Sequence, residues 1–421
     1  MVSRRTLMFS GAAAAALALA RPREFSGGHA AYFAKLNATL RHHGIDRPVL
    51  LVDLDRLDRN IDRVVKSAAT GTRRNYRIVV KSVPSPALVA YIATRAATNS
   101  GMVFHRPFLQ ELARRRPQSD LLLGKPMPVA AVATFYEQHS GMFDPAQQLQ
   151  WLVDSPARLT QYLQLAQGRR LRLRVNLEID VGLHRGGFAD PAALAGALAT
   201  IAAHPEQLDF SGFMGYDAHI MGLPGLLASG EIPRVKARYG AFVDTLRRQF
   251  PQLAQGPLTF NGAGSPTFRN YETDSPLNDI SVGTALMKPS HYDLPLLADF
   301  EPAAFIATPV LKRQASTGVP TLEWLRGPQR LWDRNTADTL FTYSGNWLAE
   351  PASPAGVQRA GIYASSNQEG YYAASGVQLA VDDFFFLRPT QSEAVLLQFG
   401  DLLGVRADRI EQRWPVLTVG L

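Results

Sequence analysis

Four short stretches of this sequence carry side chains that could do chemistry together. The first is Tyr76-Arg77-Ile78-Val79-Val80-Lys81-Ser82-Val83-Pro84-Ser85-Pro86. Ile78, Val79 and Val80 are apolar and β-branched, which suits a strand buried on both faces. Lys81 stands where that run ends, and Pro84 and Pro86 mark a turn before a helix. A desolvated lysine amine can form a Schiff base with an aldehyde. The second stretch is Val181-Gly182-Leu183-His184-Arg185-Gly186-Gly187. Its glycines let backbone approach a ligand, and Arg185 can donate to an anion or a phenolate oxygen. The third, Gly215-Tyr216-Asp217-Ala218-His219, offers a phenol and an imidazole, with His219 a candidate acid/base. The fourth, Asn261-Gly262-Ala263-Gly264-Ser265-Pro266-Thr267, offers free backbone N–H groups and the Ser265 hydroxyl, as a phosphate requires. Each has a plain structural alternative: a surface lysine, a rim ion pair, a core tyrosine, a tight turn, a structural histidine.

The elements that must position these residues favour the chemical reading. Apolar runs at 77–81, 101–104, 120–123, 150–153, 171–179, 209–216, 258–262 and 279–283 read as strands. Helical patterns such as 86–97, 107–115, 129–139, 156–167, 191–204 and 235–250 lie between most of them. This alternation predicts an α/β protein with a (β/α)8 TIM-like barrel over 48–299. All four stretches then fall at the same end of barrel strands, where active sites are built and where loops after the last two strands commonly hold a phosphate. No glycine-rich dinucleotide fingerprint follows the first strand. Beyond about residue 300 the pattern shortens. The segment 305–311 contains Pro309 and reads as an edge strand. Short pieces at 339–343, 376–381, 384–387, 394–397 and 409–412 predict an all-β domain over 300–421. The early strand at 48–53 is expected to join it.

Composition narrows the class. The chain has 421 residues, is 46% hydrophobic and 19% charged, and can bury a sizeable core. Its net charge of +8 comes from scattered basic residues, so no nucleic-acid partner is expected. The absence of cysteine excludes disulfides and thiolate metal sites. Arg4-Arg5 precedes an alanine-rich apolar run that ends Ala18-Leu19-Ala20, a small-x-small cleavage pattern. Residues 1–20 therefore read as a twin-arginine-like export signal to the periplasm, with no other membrane association. The alternatives are an uncleaved anchor, or a frayed helix on a cytoplasmic protein.

Six stretches together carry a resemblance: "VLLVDLDRLDRNI" at 49–61, the strand around Lys81, "EIDVGLHRGGF" at 178–188, "GFMGYDAH" at 212–219, "NGAGSPTF" at 261–268 and "SVGTALMKPSHYD" at 281–293. In this order the chain resembles the fold-type III pyridoxal-phosphate enzymes with an alanine-racemase-type barrel. Within them it is similar to the D-threonine aldolase and D-serine dehydratase branch. The resemblance implies that Lys81 bonds pyridoxal 5'-phosphate, that Arg185 approaches the cofactor ring oxygen, and that Gly262, Gly264 and Ser265 bind the phosphate. By the same resemblance Tyr216 and Tyr292 line the cofactor pocket, with Asn261 in the phosphate-side motif. It also implies a homodimer whose site is completed by the partner's β domain.

One departure bears on mechanism. That branch holds a divalent metal with a histidine and a cysteine or aspartate, at positions that correspond here to Gln391 and Glu393. Such a pair could hold Mg²⁺ or Mn²⁺ and suits Zn²⁺ poorly. The expectation is a pyridoxal-phosphate lyase, aldolase or dehydratase, acting on a β-hydroxy D-amino acid. An amino-acid racemase and a non-catalytic cofactor-binding protein are the alternatives. A lyase releases an aldehyde or a keto acid, a racemase changes only optical rotation, and a carrier is coloured without turnover.

Overall fold

A computed structural model describes residues 21–315, 318–363 and 367–417. The expected signal at 1–20 lies outside them. Among the described residues no helix is long and apolar enough to cross a membrane. By internal contacts the chain forms two compact units. One comprises 52–303, 391–404 and 412–417; the other comprises 21–51, 304–390 and 405–411. Residues 391–404, placed in the β domain by the sequence reading, thus cluster with the barrel residues.

The first strand, β1 (Val49–Asp53), precedes the barrel. The barrel strands are β2 (Asn75–Val79), β3 (Ser100–Val103), β4 (Asp120–Leu123), β5 (Leu149–Val153), β6 (Leu173–Glu178), β7 (Leu208–Gly215), β8 (Thr259–Gly262) and β9 (Asp279–Val282). They close in sequence order, and β9 pairs in parallel with β2 from Asn75↔Asp279 to Ile78↔Val282. The strands match the expected runs to within a few residues. Lys81 lies not in its strand but in the 3₁₀ turn Val80–Ser82 that follows β2.

The helices start where local chemistry allows. Proline opens those at Pro86–Ala96, Pro156–Arg169 and Pro191–Ala203, where its missing N–H costs nothing. Ser155 caps the second by accepting from Arg158 N, and Asp190 caps the third by accepting from Ala192 N and Ala193 N.

The barrel interior is polar toward its N-terminal end. The buried Arg77 guanidinium donates to both Asp279 carboxylate oxygens at 3.0 Å and lies 2.8 Å from Asp120. Asn261 donates to Asp279 at 2.5 Å and to Ser281 Oγ at 2.8 Å. These paired groups form a floor under the pocket. The β6–β7 register shifts between Val175 and Asn176. Gly212, at φ +130°, accommodates the bulge, and any side chain there would strike the Thr259 backbone of β8.

The remaining strands are β10 (Ala304–Gln314), β11 (Asp338–Tyr343), β12 (Ala349–Ser353), β13 (Gln358–Arg359), β14 (Gln368–Ala373), β15 (Phe384–Pro389), β16 (Asp401–Arg406) and β17 (Arg409–Pro415). They form a sheet with β1 in the order β13-β14-β11-β10-β1-β16-β17, and β15 joins β10 to β12. The early strand therefore does join this sheet. The edge assignment of 305–311 is corrected: β10 pairs with β11 and β15 as well as β1. Pro309 is tolerated in a central strand because it stands just before the irregularity at Val310–Lys312, where the ladder is already broken.

Two expected strands are absent. Across 376–381 the carbonyls of Val377 and Leu379 accept from the Arg313 guanidinium instead of a neighbouring strand. Across 394–397 the N–H groups of Val395 and Leu396 turn back to Ser392 O, giving a local turn. The sequence reading also passed over β12, β13, β14 and β16.

Candidate active site

A cavity of about 540 Å³ opens at the C-terminal ends of the barrel strands. The groups on its wall come from successive strand ends. Lys81 follows β2, Phe104 follows β3, Lys125 follows β4 and Asp154 follows β5. Glu178 ends β6 and Tyr216 follows β7. Ser265 and Gly264 follow β8, and Thr284 and Tyr292 follow β9.

Lys81 is half-buried. Its amine lies 2.8 Å from Glu393 Oε1 and 4.8 Å from the centre of the Phe104 ring. The adjacent Ser82 hydroxyl lies 2.9 Å from Thr284 Oγ1, and Thr284 and Tyr292 line the same cavity. Glu393 arrives from the distant 391–404 segment, which clusters with the barrel residues. The nucleophilic amine is thus held by an anion, an aromatic face and a hydroxyl network beside it.

The loop after β8 is built for a ligand that accepts hydrogen bonds. Ser265 Oγ accepts from Gly283 N at 3.3 Å and from Ala285 N at 3.0 Å. With its acceptor capacity taken, its proton is left for a ligand. A side chain at Gly264 would meet Tyr216 Cε2 at 2.6 Å, and one at Gly283 would meet Val79 O at 2.7 Å. The wall here is consequently bare backbone. Buried Asp217 ties this loop to the β7 end, accepting from Thr267 Oγ1 at 2.6 Å and Tyr271 OH at 2.8 Å.

The Arg185 loop folds back onto β6. Phe188 N donates to Glu178 O at 2.8 Å, and a Cβ on Gly187, at φ +93°, would fall 2.8 Å from that oxygen. The Arg185 guanidinium lies 5.2 Å from the centre of the Tyr216 ring. Burial pushes the Glu178 carboxyl up to about 6, with Arg185 opposing and Asp154 and Asp180 adding to the rise. Burial likewise pushes the Tyr216 phenol well above its usual range and raises the Tyr292 phenol, so both keep their protons.

The cavity gathers Lys81, Arg185, Tyr216, Asn261, Gly264, Ser265 and Tyr292 on one wall system. Asn261 serves as floor, its amide already committed to Asp279 and Ser281. Gly262 does not line the cavity; its missing side chain makes room for Leu277 and Gly215 O. His219 is also outside. The turn Ala218–Gly222 swings its ring toward the helix Gly225–Gln249, where Nε2 lies 3.5 Å from Glu231 Oε1. It is not placed to act as the second acid/base.

Of the two residues expected to hold a metal, only Glu393 lines the cavity. Gln391 is exposed and does not line the cavity, and Glu393 is held by Lys81. Among the described residues no group of three or more histidine, cysteine, aspartate or glutamate side chains could hold a metal ion. A lone carboxylate already bound to an ammonium is a poor donor set for a divalent cation. Sequence reasoning passed over Glu178, Lys125, Thr284 and Asp217. For Glu178 the available signal was its place in 178–188, at the end of an apolar run.

Most of the chain matches known structures in fold, and only weakly in sequence. D-threonine aldolase from Filomicrobium marinum aligns at 18% identity and a TM-score of 0.68, over 88% of this chain and 95% of that one. D-threo-3-hydroxyaspartate dehydratase from Delftia sp. HT23 aligns at 16% identity and a TM-score of 0.68, over 90% and 98%. Alanine racemase from Bacillus anthracis aligns at 14% identity and a TM-score of 0.66, over 88% and 97%. At such identities these likenesses speak for the fold. No curated protein sequence matches the chain. Residues 52–291 match the model for the N-terminal domain of alanine racemase. Since that match spans every strand that carries the pocket and more than half of the sequence, the chain belongs to the alanine racemase N-terminal domain family.

Proposed function

We propose that this protein is a pyridoxal-phosphate enzyme that acts on a D-amino acid, and that it is a lyase for a β-hydroxy D-amino acid. The observation that carries the reading is the placement of Lys81 at the barrel mouth, in one cavity with the bare-backbone Gly264–Ser265 loop, Arg185 and Tyr292. The family generally binds this cofactor, and the residues present fit it. Lys81 provides the amine for its aldehyde. The Ser265 hydroxyl would provide a donor for its phosphate, beside a backbone in which Gly264 N already donates to Thr267 Oγ1. Arg185 provides a cation for the ring side. When bound, the cofactor supplies an electron sink for the pair left at the substrate α-carbon.

The chain's own residues do the rest. Glu393 holds the Lys81 amine in place and balances its charge. Tyr216, backed by Arg185 on one side and Gly264 on the other, closes the cavity wall. Tyr292 lines the same cavity as Lys81's neighbour Ser82 and its partner Thr284. The position of His219, outside the cavity and beside Glu231, leaves it without a role as a second proton carrier and supports a lyase over a racemase. Homodimerisation and export through residues 1–20 belong to the same reading.

The test is a visible absorption scan of the purified protein with added pyridoxal phosphate, followed by borohydride reduction and peptide mapping. A visible band and a label on Lys81 are expected. No band, or a label on a different lysine, overturns the assignment.

A further inference from the structure

Resting on that reading, we propose that Glu178 is the base that takes the proton from the substrate's β-hydroxyl. Its carboxylate faces the same cavity as Lys81, from the last residue of β6. Among the described residues no side chain or backbone group donates a hydrogen bond to it and none forms an ion pair with it. Arg185 acts on it only through space. A partly buried carboxylate without a donor is costly unless a ligand supplies one. A hydroxyl entering the cavity is a donor of the right kind.

The competing groups are engaged or misplaced. Glu393 is bound to Lys81. His219 and Gln391 lie outside the cavity. Tyr216 and Tyr292 retain their protons. Asp154 already accepts from Ser155 Oγ at 3.3 Å. The charged and titratable groups that face Glu178 are Arg185 and Asp180 from its own loop and Asp154 from the end of β5. Lys81, Lys125, Glu393, Tyr216 and Tyr292 complete the cavity. Burial places the Glu178 carboxyl at about 6, so it is ionised at neutral pH and close enough to exchange protons efficiently.

The step balances within the chain and its substrate. The hydroxyl O–H bond breaks and a carboxyl O–H bond forms on Glu178. The oxygen's pair makes the aldehyde C=O, and the Cα–Cβ pair passes to the α-carbon. That carbon then takes a proton to yield glycine, and Glu178 releases its own to water. No oxidant or reductant is needed.

The experiment uses full-length protein loaded with pyridoxal phosphate, as wild type, Glu178→Gln and Glu178→Asp. Three quantities are read: the visible band and its Lys81 label, exchange of the D-alanine α-proton in D₂O, and aldehyde release from D-threonine. In Glu178→Gln the band, the label and D-alanine exchange are expected to stay within about threefold, while aldehyde release falls roughly 10²–10⁴-fold. Glu178→Asp is expected to recover part of that loss, and it replaces Gln in the comparison if the Gln variant fails to fold. Aldehyde release within about tenfold of wild type overturns the proposal, as does an equal fall in D-alanine exchange. A wild type that shows the band and exchange yet releases no aldehyde, or releases a keto acid with ammonia, overturns the base role and leaves the cofactor assignment standing. A colourless wild type overturns both.

Discussion

Lys81, Gly264 and Glu178 are the residues on which the site stands, and each makes a separable prediction. Lys81→Arg keeps a cation opposite Glu393 but removes the primary amine. It is expected to abolish the borohydride label while leaving the urea midpoint nearly unchanged, since the position is half-buried and already polar. Gly264→Ala puts a methyl 2.6 Å from Tyr216 Cε2. The ring must move, and pyridoxal-phosphate affinity is expected to weaken by about tenfold or more, which a spectral titration reads. For Glu178 the sign with pH is definite. A base works ionised, so carbon–carbon cleavage is expected to fall as pH drops through about 6, and that limb is expected to vanish in Glu178→Gln. Lys81 was legible in the sequence because an apolar β-branched run ends on it before two prolines. Glu178 was not, since a carboxylate at a strand end reads as solvated until burial is known. His219 was misread for a related reason: a 3₁₀ turn decides which way the ring points, and its five residues carry no periodic signal.

At the scale of elements, the parallel strands were the easy part. They are rich in buried apolar residues and separated by helices, so they stand out as runs. The antiparallel strands are short, and what ends them is often a long-range contact. Arg313 claims carbonyls that the 376–381 segment would need to be a strand. Pro309 looked like an edge marker because the ladder irregularity beside it cannot be seen in sequence. The barrel floor makes its own prediction. Arg77 is buried against Asp279 and Asp120, so Arg77→Met leaves the buried Asp279 carboxylate without its cation, while Asp120 keeps Arg174 at 3.7 Å. It is expected to destabilise the fold by about 3–5 kcal/mol, measured by urea unfolding of the apoprotein.

At the scale of the molecule, the resemblance in the sequence pointed to the family and the fold, and the donor set departs from the metal expectation it carried. Gln391 is exposed and Glu393 is bound to Lys81, so dialysis against a chelator is expected to leave the visible band and turnover within about twofold. A larger loss, restored by Mn²⁺, would show that a metal is bound through other donors. The Lys81–Glu393 pair was hidden because its members are remote in sequence, Glu393 standing 311 positions after Lys81's neighbour Ser82. No local pattern joins positions that far apart.

That separation also sets an order in time. A ribosome makes the chain from its N-terminus, and segments begin to fold as they emerge. When residue 390 has been added, every strand of the barrel exists, yet Glu393 has not been synthesised. Until then the nascent barrel presents Lys81 to the cell's aldehydes without its carboxylate. The same is true of Leu417, whose N–H donates to Pro84 O at 2.7 Å just beyond the lysine turn. The mouth of this barrel is therefore finished only after every one of its strands has been made.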